Sequence, residues 1–255
     1  MTNIAPLRAF RPMLDHDAYH PKPYDDFTRY PSYGTPDGLI YVLHWGGGGP
    51  YRITTRALAF RLILGWRSQH INGGLGPDIA YNEFAWWPPI RLRGHNHNGA
   101  NRGSTHWGPR TVTIVFPAGI HEPVPPARSI KGFCLRWAES PGRVTGHGLL
   151  PATPDGITQQ TQCPGPWGRA FIADEGWITW LGELRPGSTG LRVRALRRRL
   201  YDLGYLKHRP KKWGRIYTRH TARGVRAFRA DAGLKPGNRV GPNVWRALAL
   251  AAPDG

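Results

Sequence analysis

The feature that most narrows what this chain can fold into is the run Leu-Ile-Tyr-Val-Leu-His-Trp at residues 39–45, followed at once by Gly-Gly-Gly-Gly-Pro. An apolar run of this length, bounded by turn residues, reads as a strand buried in a sheet. Its one polar member, His44, sits near the tip, just where the glycines free the backbone. A lone strand-end histidine is ordinarily satisfied by a carbonyl or by water, so His44 gains meaning only if other donors converge on it.

The rest of the pattern supports a sheet covered by helices. "TTRALAFRLILGW" (54–66) reads as a helix capped by Thr54 or Thr55, with Ala57, Leu58, Phe60, Leu62, Ile63 and Leu64 covering much of its circumference. "IAYNEFAWW" (79–87) and "TVTIVF" (111–116) read as strands. "RSIKGFCLRWAE" (128–139) and "WGRAFIADEGWITWL" (167–181) read as two further helices. Strands mixed with helices predict an α/β domain with a mixed central sheet flanked by helices. It is expected over 38–181, after an irregular, proline-dotted lead-in at 1–37.

The turn-rich stretch "GELRPGSTG" (182–190) reads as a linker, and beyond it the period changes. Val193, Leu196, Leu200 and Leu203 step by three, four and three, forming a narrow apolar stripe on an arginine-rich helix. "TARGVRAFRADAGL" and "GPNVWRALAL" predict two more helices, so residues 191–255 should form a small all-α three-helix domain. Its charge is lopsided. Residues 183–255 hold 18 Lys and Arg against 4 Asp and Glu, a balance of +14 within a chain of net charge +19. Such a field draws polyanions, and charge alone does not choose among nucleic acid, anionic lipid and anionic wall polymer. No nucleic-acid-binding motif and no membrane-length apolar run is present, so neither specific nucleic-acid binding nor membrane insertion is expected. The start of the sequence lacks the pattern of a signal peptide, which predicts synthesis in the cytoplasm.

Two other segments offer metal donors: "VTGHG", with His147, and "TQCPGP", with Cys163. Two imidazoles and a thiolate would give zinc three protein ligands and leave the fourth tetrahedral position to water, whose pKa falls to about 7 on the ion. That chemistry hydrolyses amides or esters. Spacing does not select this triple, since eleven histidines allow many others. Cys134 lies within a predicted helix and reads as a small buried hydrophobe, and the zinc reading requires both cysteines to stay reduced.

The order "YVLHW … GLGPDIAYNEF … VTGHG … TQCPGP" resembles the type 2 N-acetylmuramoyl-L-alanine amidase family, which includes phage lysins and animal peptidoglycan recognition proteins. The resemblance covers roughly 38–180. It implies a zinc amidase fold with His44, His147 and Cys163 as Zn2+ ligands, and Tyr81 and Thr161 as catalytic hydrogen-bonding groups. It also implies a substrate loop "RGHNHNGANRGSTHWGPR", in which Asn96, Asn98, Asn101, Arg102 and His106 would bind the glycan–peptide stem. The chain departs from the family in having "GHGLL" after the second histidine rather than Arg-Asp. The longer insert that follows contains Asp155, a rival to Cys163 as third ligand. The tail, over 187–250, resembles the type 1 peptidoglycan-binding module. Together these imply a monomeric phage endolysin that reaches bacterial peptidoglycan, and anionic cell-wall polymers, after release from the cytoplasm. The alternative is a non-catalytic peptidoglycan-recognition protein that kept the fold.

Overall fold

In the computed structural model the described residues are 40–48, 51–73, 79, 81–88, 90–92, 111–119, 124–149, 161–207 and 214–251. They fall into two compact units. One takes in residues up to Gly132 and Arg143–Asp174; the other takes in Phe133–Gly142 and the chain from Glu175 onward.

The first unit is built on a five-stranded sheet of β1 (Ile40–Gly47), β2 (Glu83–Phe84), β3 (Ile90–Arg91), β4 (Thr111–Gly119) and β5 (Arg143–Gly146), in the order β3-β2-β4-β1-β5. β1 runs parallel to β4 and to β5, β2 runs parallel to β4, and β3 alone is antiparallel. Ile40 to Leu43 are all buried, as a strand between two parallel neighbours and two covered faces requires.

Successive residues of β4 show which helix lies on which face. Val115 belongs to a cluster with Ala59, Phe60, Ile63 and Trp66 of α1 (Arg56–Asn72). Phe116, pointing the other way, meets Trp167 of α3 (Gly165–Ala173) at 5.7 Å between ring centroids. The expected cap of α1 is Thr55, whose Oγ1 accepts from the Leu58 N–H at 3.2 Å. Helix α2 (Ala127–Glu139) starts in this unit, where Gly132 lies so close to the Trp86 backbone that a Cβ would overlap it.

Two local expectations change. The strand expected over 79–87 shortens to Glu83–Phe84, and Asn82 just before it meets β4 with both main chain and side chain: its N–H donates to the Thr113 carbonyl at 3.1 Å, and its Oδ1 accepts from the Thr113 N–H at 2.9 Å and from the Thr113 hydroxyl at 2.8 Å. That leaves Tyr81 just before the strand rather than within it. The single helix expected over 167–181 is two, α3 and α4 (Gly176–Leu181), broken where Glu175 takes a left-handed conformation with φ 48°.

The second unit contains α4, α5 (Leu191–Asp202), α6 (Arg219–Asp231) and α7 (Pro242–Leu250). Two isolated bridges, Leu184 to Val240 and Thr189 to Ile216, tie its connecting segments. Val193, Leu196, Leu200 and Leu203, the stripe read from sequence, are all buried. So is Arg199, whose guanidinium donates to the carbonyls of Leu248 and Ala251 at the end of α7. These are carbonyls that a helix terminus leaves without an intrahelical partner. None of the described helices is long and apolar enough to cross a membrane.

Replacing Arg199 with alanine strands those carbonyls inside the protein. The expected loss is about 2 kcal/mol, read as a lower urea midpoint than the wild type's.

Candidate metal centre

The last pair in the parallel ladder between β1 and β5 is Leu43 with Gly146. The next residue after each member of that pair is a histidine, so His44, within β1, and His147, the first residue beyond β5, stand side by side where the ladder ends, toward the carboxyl side of the sheet where open α/β folds gather ligands. Their ring centroids are 4.6 Å apart. Cys163 reaches the same point from the segment before α3, with its Sγ 3.7 Å from His44 Nδ1. One ligand atom from each residue lies within 4.8 Å of the others, and no other cluster of this kind occurs among the described residues. Two donors sharing a tetrahedral zinc, at roughly 2.05 Å and 2.3 Å from it, stand about 3.6 Å apart. The imidazole–sulfur separation fits that geometry.

Glycine makes the convergence possible. A Cβ on Gly146 would strike the Pro164 ring, and one on Gly148 would overlap the Thr161 carbonyl. With neither present, the strand end carrying His147 lies directly against the 161–164 segment, and the Gly148 N–H donates to the Cys163 carbonyl at 2.8 Å. That segment is held from its own side as well. Thr161 Oγ1 accepts from the Cys163 N–H at 3.2 Å, and Arg169 donates to the Thr161 carbonyl at 3.0 Å.

The electrostatics suit a cation. His44 is buried with its Nδ1 turned to the Cys163 sulfur, while the opposite nitrogen, Nε2, has no hydrogen-bond partner among the described residues. Burial, then the neighbouring His147 and His70, hold its pKa well below the usual imidazole value, which keeps the ring neutral and able to ligate. Burial pushes the Cys163 thiol up to about 12, against the opposing pull of the Trp45 N–H and Arg169. The Trp45 amide donates to this sulfur at 3.4 Å, a contact ready to stabilise a thiolate. A coordinating metal would expel the thiol proton. Both cysteines are free and buried.

Tyr81 closes one side of the centre, its ring 5.3 Å from that of His44 and 5.3 Å from that of His70. Burial, then Cys163 and Tyr51, raise its pKa, so the phenol stays protonated and can donate. Thr161 is placed through its bond to the Cys163 amide. Asn96, Asn98, Asn101, Arg102, His106 and Asp155 lie outside the described residues. Three participants went unread in the sequence: Trp45, which acts through its amide; His70, which α1 brings to Tyr81; and Arg169, one turn into α3. None has a side-chain pattern that separates it from structural neighbours.

Residues 189–248 match the family model of a peptidoglycan binding domain. Among solved structures, the X-ray structure of bumblebee PGRP-SA aligns with 52% of this chain and 79% of its own, at 19% identity and a TM-score of 0.37. No curated protein matches the chain.

The centre should bind one divalent ion per chain, measured by elemental analysis after dialysis. Cys163→Ser and His147→Ala are expected to lose it. Gly148→Ala, which removes no donor atom, should also weaken binding by roughly tenfold, because it pushes His147 away from the cysteine segment.

Proposed function

We propose that residues 38–181 are a zinc-dependent N-acetylmuramoyl-L-alanine amidase, joined through 182–190 to a peptidoglycan-binding domain at 191–255. The observation that carries this reading is the meeting of His44, His147 and Cys163, three protein donors that leave one tetrahedral position open, on a chain whose tail matches a peptidoglycan binding domain. A three-ligand set of this kind is characteristic of catalytic rather than structural zinc. Zinc held there supplies Lewis-acid polarisation of the scissile carbonyl and lowers the pKa of the attacking water.

The chain's own groups supply the remainder. The protonated Tyr81 phenol donates a hydrogen bond to the oxyanion that develops as the amide carbonyl is attacked. Thr161 spends its oxygen lone pair on the Cys163 amide, which leaves the hydroxyl proton free to orient substrate. The loop residues Asn96, Asn98, Asn101, Arg102 and His106 hold the glycan and stem peptide. Tethering the hydrolase to a wall-binding domain raises its local concentration on an insoluble polymer. The setting we propose is a phage endolysin acting on the wall after release.

Digestion of purified peptidoglycan tests this. The wild type should release new L-alanine amino termini without new reducing sugars, stop with a chelator and recover with zinc. Tyr81→Phe should lower kcat by about 10²-fold with binding to sacculi unchanged. Reducing ends alone would indicate a glycosidase, and binding without release by the metal-loaded wild type would indicate a recognition protein.

A further inference from the structure

Most of the described arginines of the second unit hold protein groups; among those that do not, three share one helix face, while Arg185 and Arg215 are scattered on connecting segments. Four of the five on α5 are engaged: Arg192 with the Leu181 carbonyl at 2.6 Å, Arg194 with Glu139 at 3.0 Å, Arg198 with Asp202 at 2.7 Å, and Arg199 with the end of α7, whereas the half-buried Arg197 leaves its Nε without a hydrogen-bond partner among the described residues. Arg229, Arg239 and Arg246 likewise meet carbonyls or carboxylates. On α6 the case is different. Arg219, Arg223 and Arg226 are exposed, and none makes a hydrogen bond or ion pair among the described residues.

Their spacing aligns them. At 3.6 residues per turn, positions i, i+4 and i+7 fall within an arc of about 60° and within about 10 Å along the axis. The opposite face, with Thr221, Ala222, Gly224, Val225 and Phe228, is buried. The stripe also begins at the helix's N-terminal end, whose first turn has no acidic residue. Arg219, in that first turn, opposes the helix dipole, and the three cations repel one another. Folding gains nothing from that arrangement, and an anion would relieve it.

We propose that this face of α6 is a docking surface for a linear phosphodiester polymer of the bacterial wall, separate from whatever groups contact peptidoglycan itself. Three arginines whose backbone positions span about 10 Å along the axis match a partner with several charges over a similar length, which a polymer charged along its backbone has and an isolated stem carboxylate lacks. Arginine suits phosphate in particular, because its planar fork donates two parallel hydrogen bonds to one group. A wall polymer is favoured over nucleic acid because the domain carrying the stripe matches a peptidoglycan binding family, which puts the wall within its reach. The inference rests on the wall as target and not on hydrolysis.

The test uses the full chain and two triple variants of equal charge. One is Arg219→Gln, Arg223→Gln and Arg226→Gln; the other is Arg185→Gln, Lys207→Gln and Lys235→Gln, exposed positions off the stripe. Binding is measured to sacculi that retain their phosphodiester polymer and to the same sacculi stripped of it by hydrofluoric acid. The expected result is a loss of at least tenfold for the stripe variant on polymer-bearing sacculi, with a flatter salt dependence. The off-stripe variant should stay near wild type, and all three proteins should bind stripped sacculi alike. Equal losses for the two variants, or wild-type binding that ignores stripping, would overturn the stripe and leave the peptidoglycan reading standing. Binding to neither kind of sacculus would overturn both. Competition by duplex DNA as potent, per phosphate, as the wall polymer would move the assignment to nucleic acid.

Discussion

Everything at the candidate centre depends on the register between β1 and β5. Parallel pairing of Leu43 with Gly146 commits the residue that follows each of them to the same point in space, and both of those residues are histidines. A slip of one position would turn one imidazole to the other face of the sheet. The register is secured by the buried run Ile40–Leu43, which has β4 on one side and β5 on the other. The same apolar residues that form the core thus set the distance between the two imidazoles.

The third donor is brought in by close approach rather than by pairing. Gly146 and Gly148 remove the side chains that would hold the cysteine segment away, and Thr161 and Arg169 then fasten that segment through its backbone. This gives a physical reason for the sequence "GHG" where the resembled family has its second histidine followed by Arg-Asp. Gly148 stands at the Arg position, where no Cβ fits, and the Asp position is taken by Leu149.

Much of this was legible in the sequence, and unevenly so. The strand carrying His44, the helix capped by Thr55 and the apolar stripe of α5 follow from periodicity and capping chemistry, which act over a few residues. The meeting of His44, His147 and Cys163 did not follow from spacing and entered through family resemblance, because separations of more than a hundred residues are set by topology. The break at Glu175 was missed because 167–181 is apolar enough to read as continuous, and only the left-handed backbone there reveals the turn. Trp45 and Arg169 were missed for a different reason: one contributes a main-chain N–H and the other holds a carbonyl, and neither group varies with residue type.

The tail shows why net charge is a poor guide to function until each cation is located. A balance of +14 invites the conclusion that the whole domain is an electrostatic surface, yet most arginines of α5 hold the fold together. Arg199 is buried and completes the end of α7, so its charge satisfies carbonyls rather than facing solvent. Subtracting such residues leaves scattered cations on connecting segments and, on α6, one ordered set that makes no hydrogen bond or ion pair among the described residues. A cation that is exposed, unpaired and set against a helix dipole raises the free energy of the folded chain. Residues of that kind, more than the total charge, mark where a partner's anions belong.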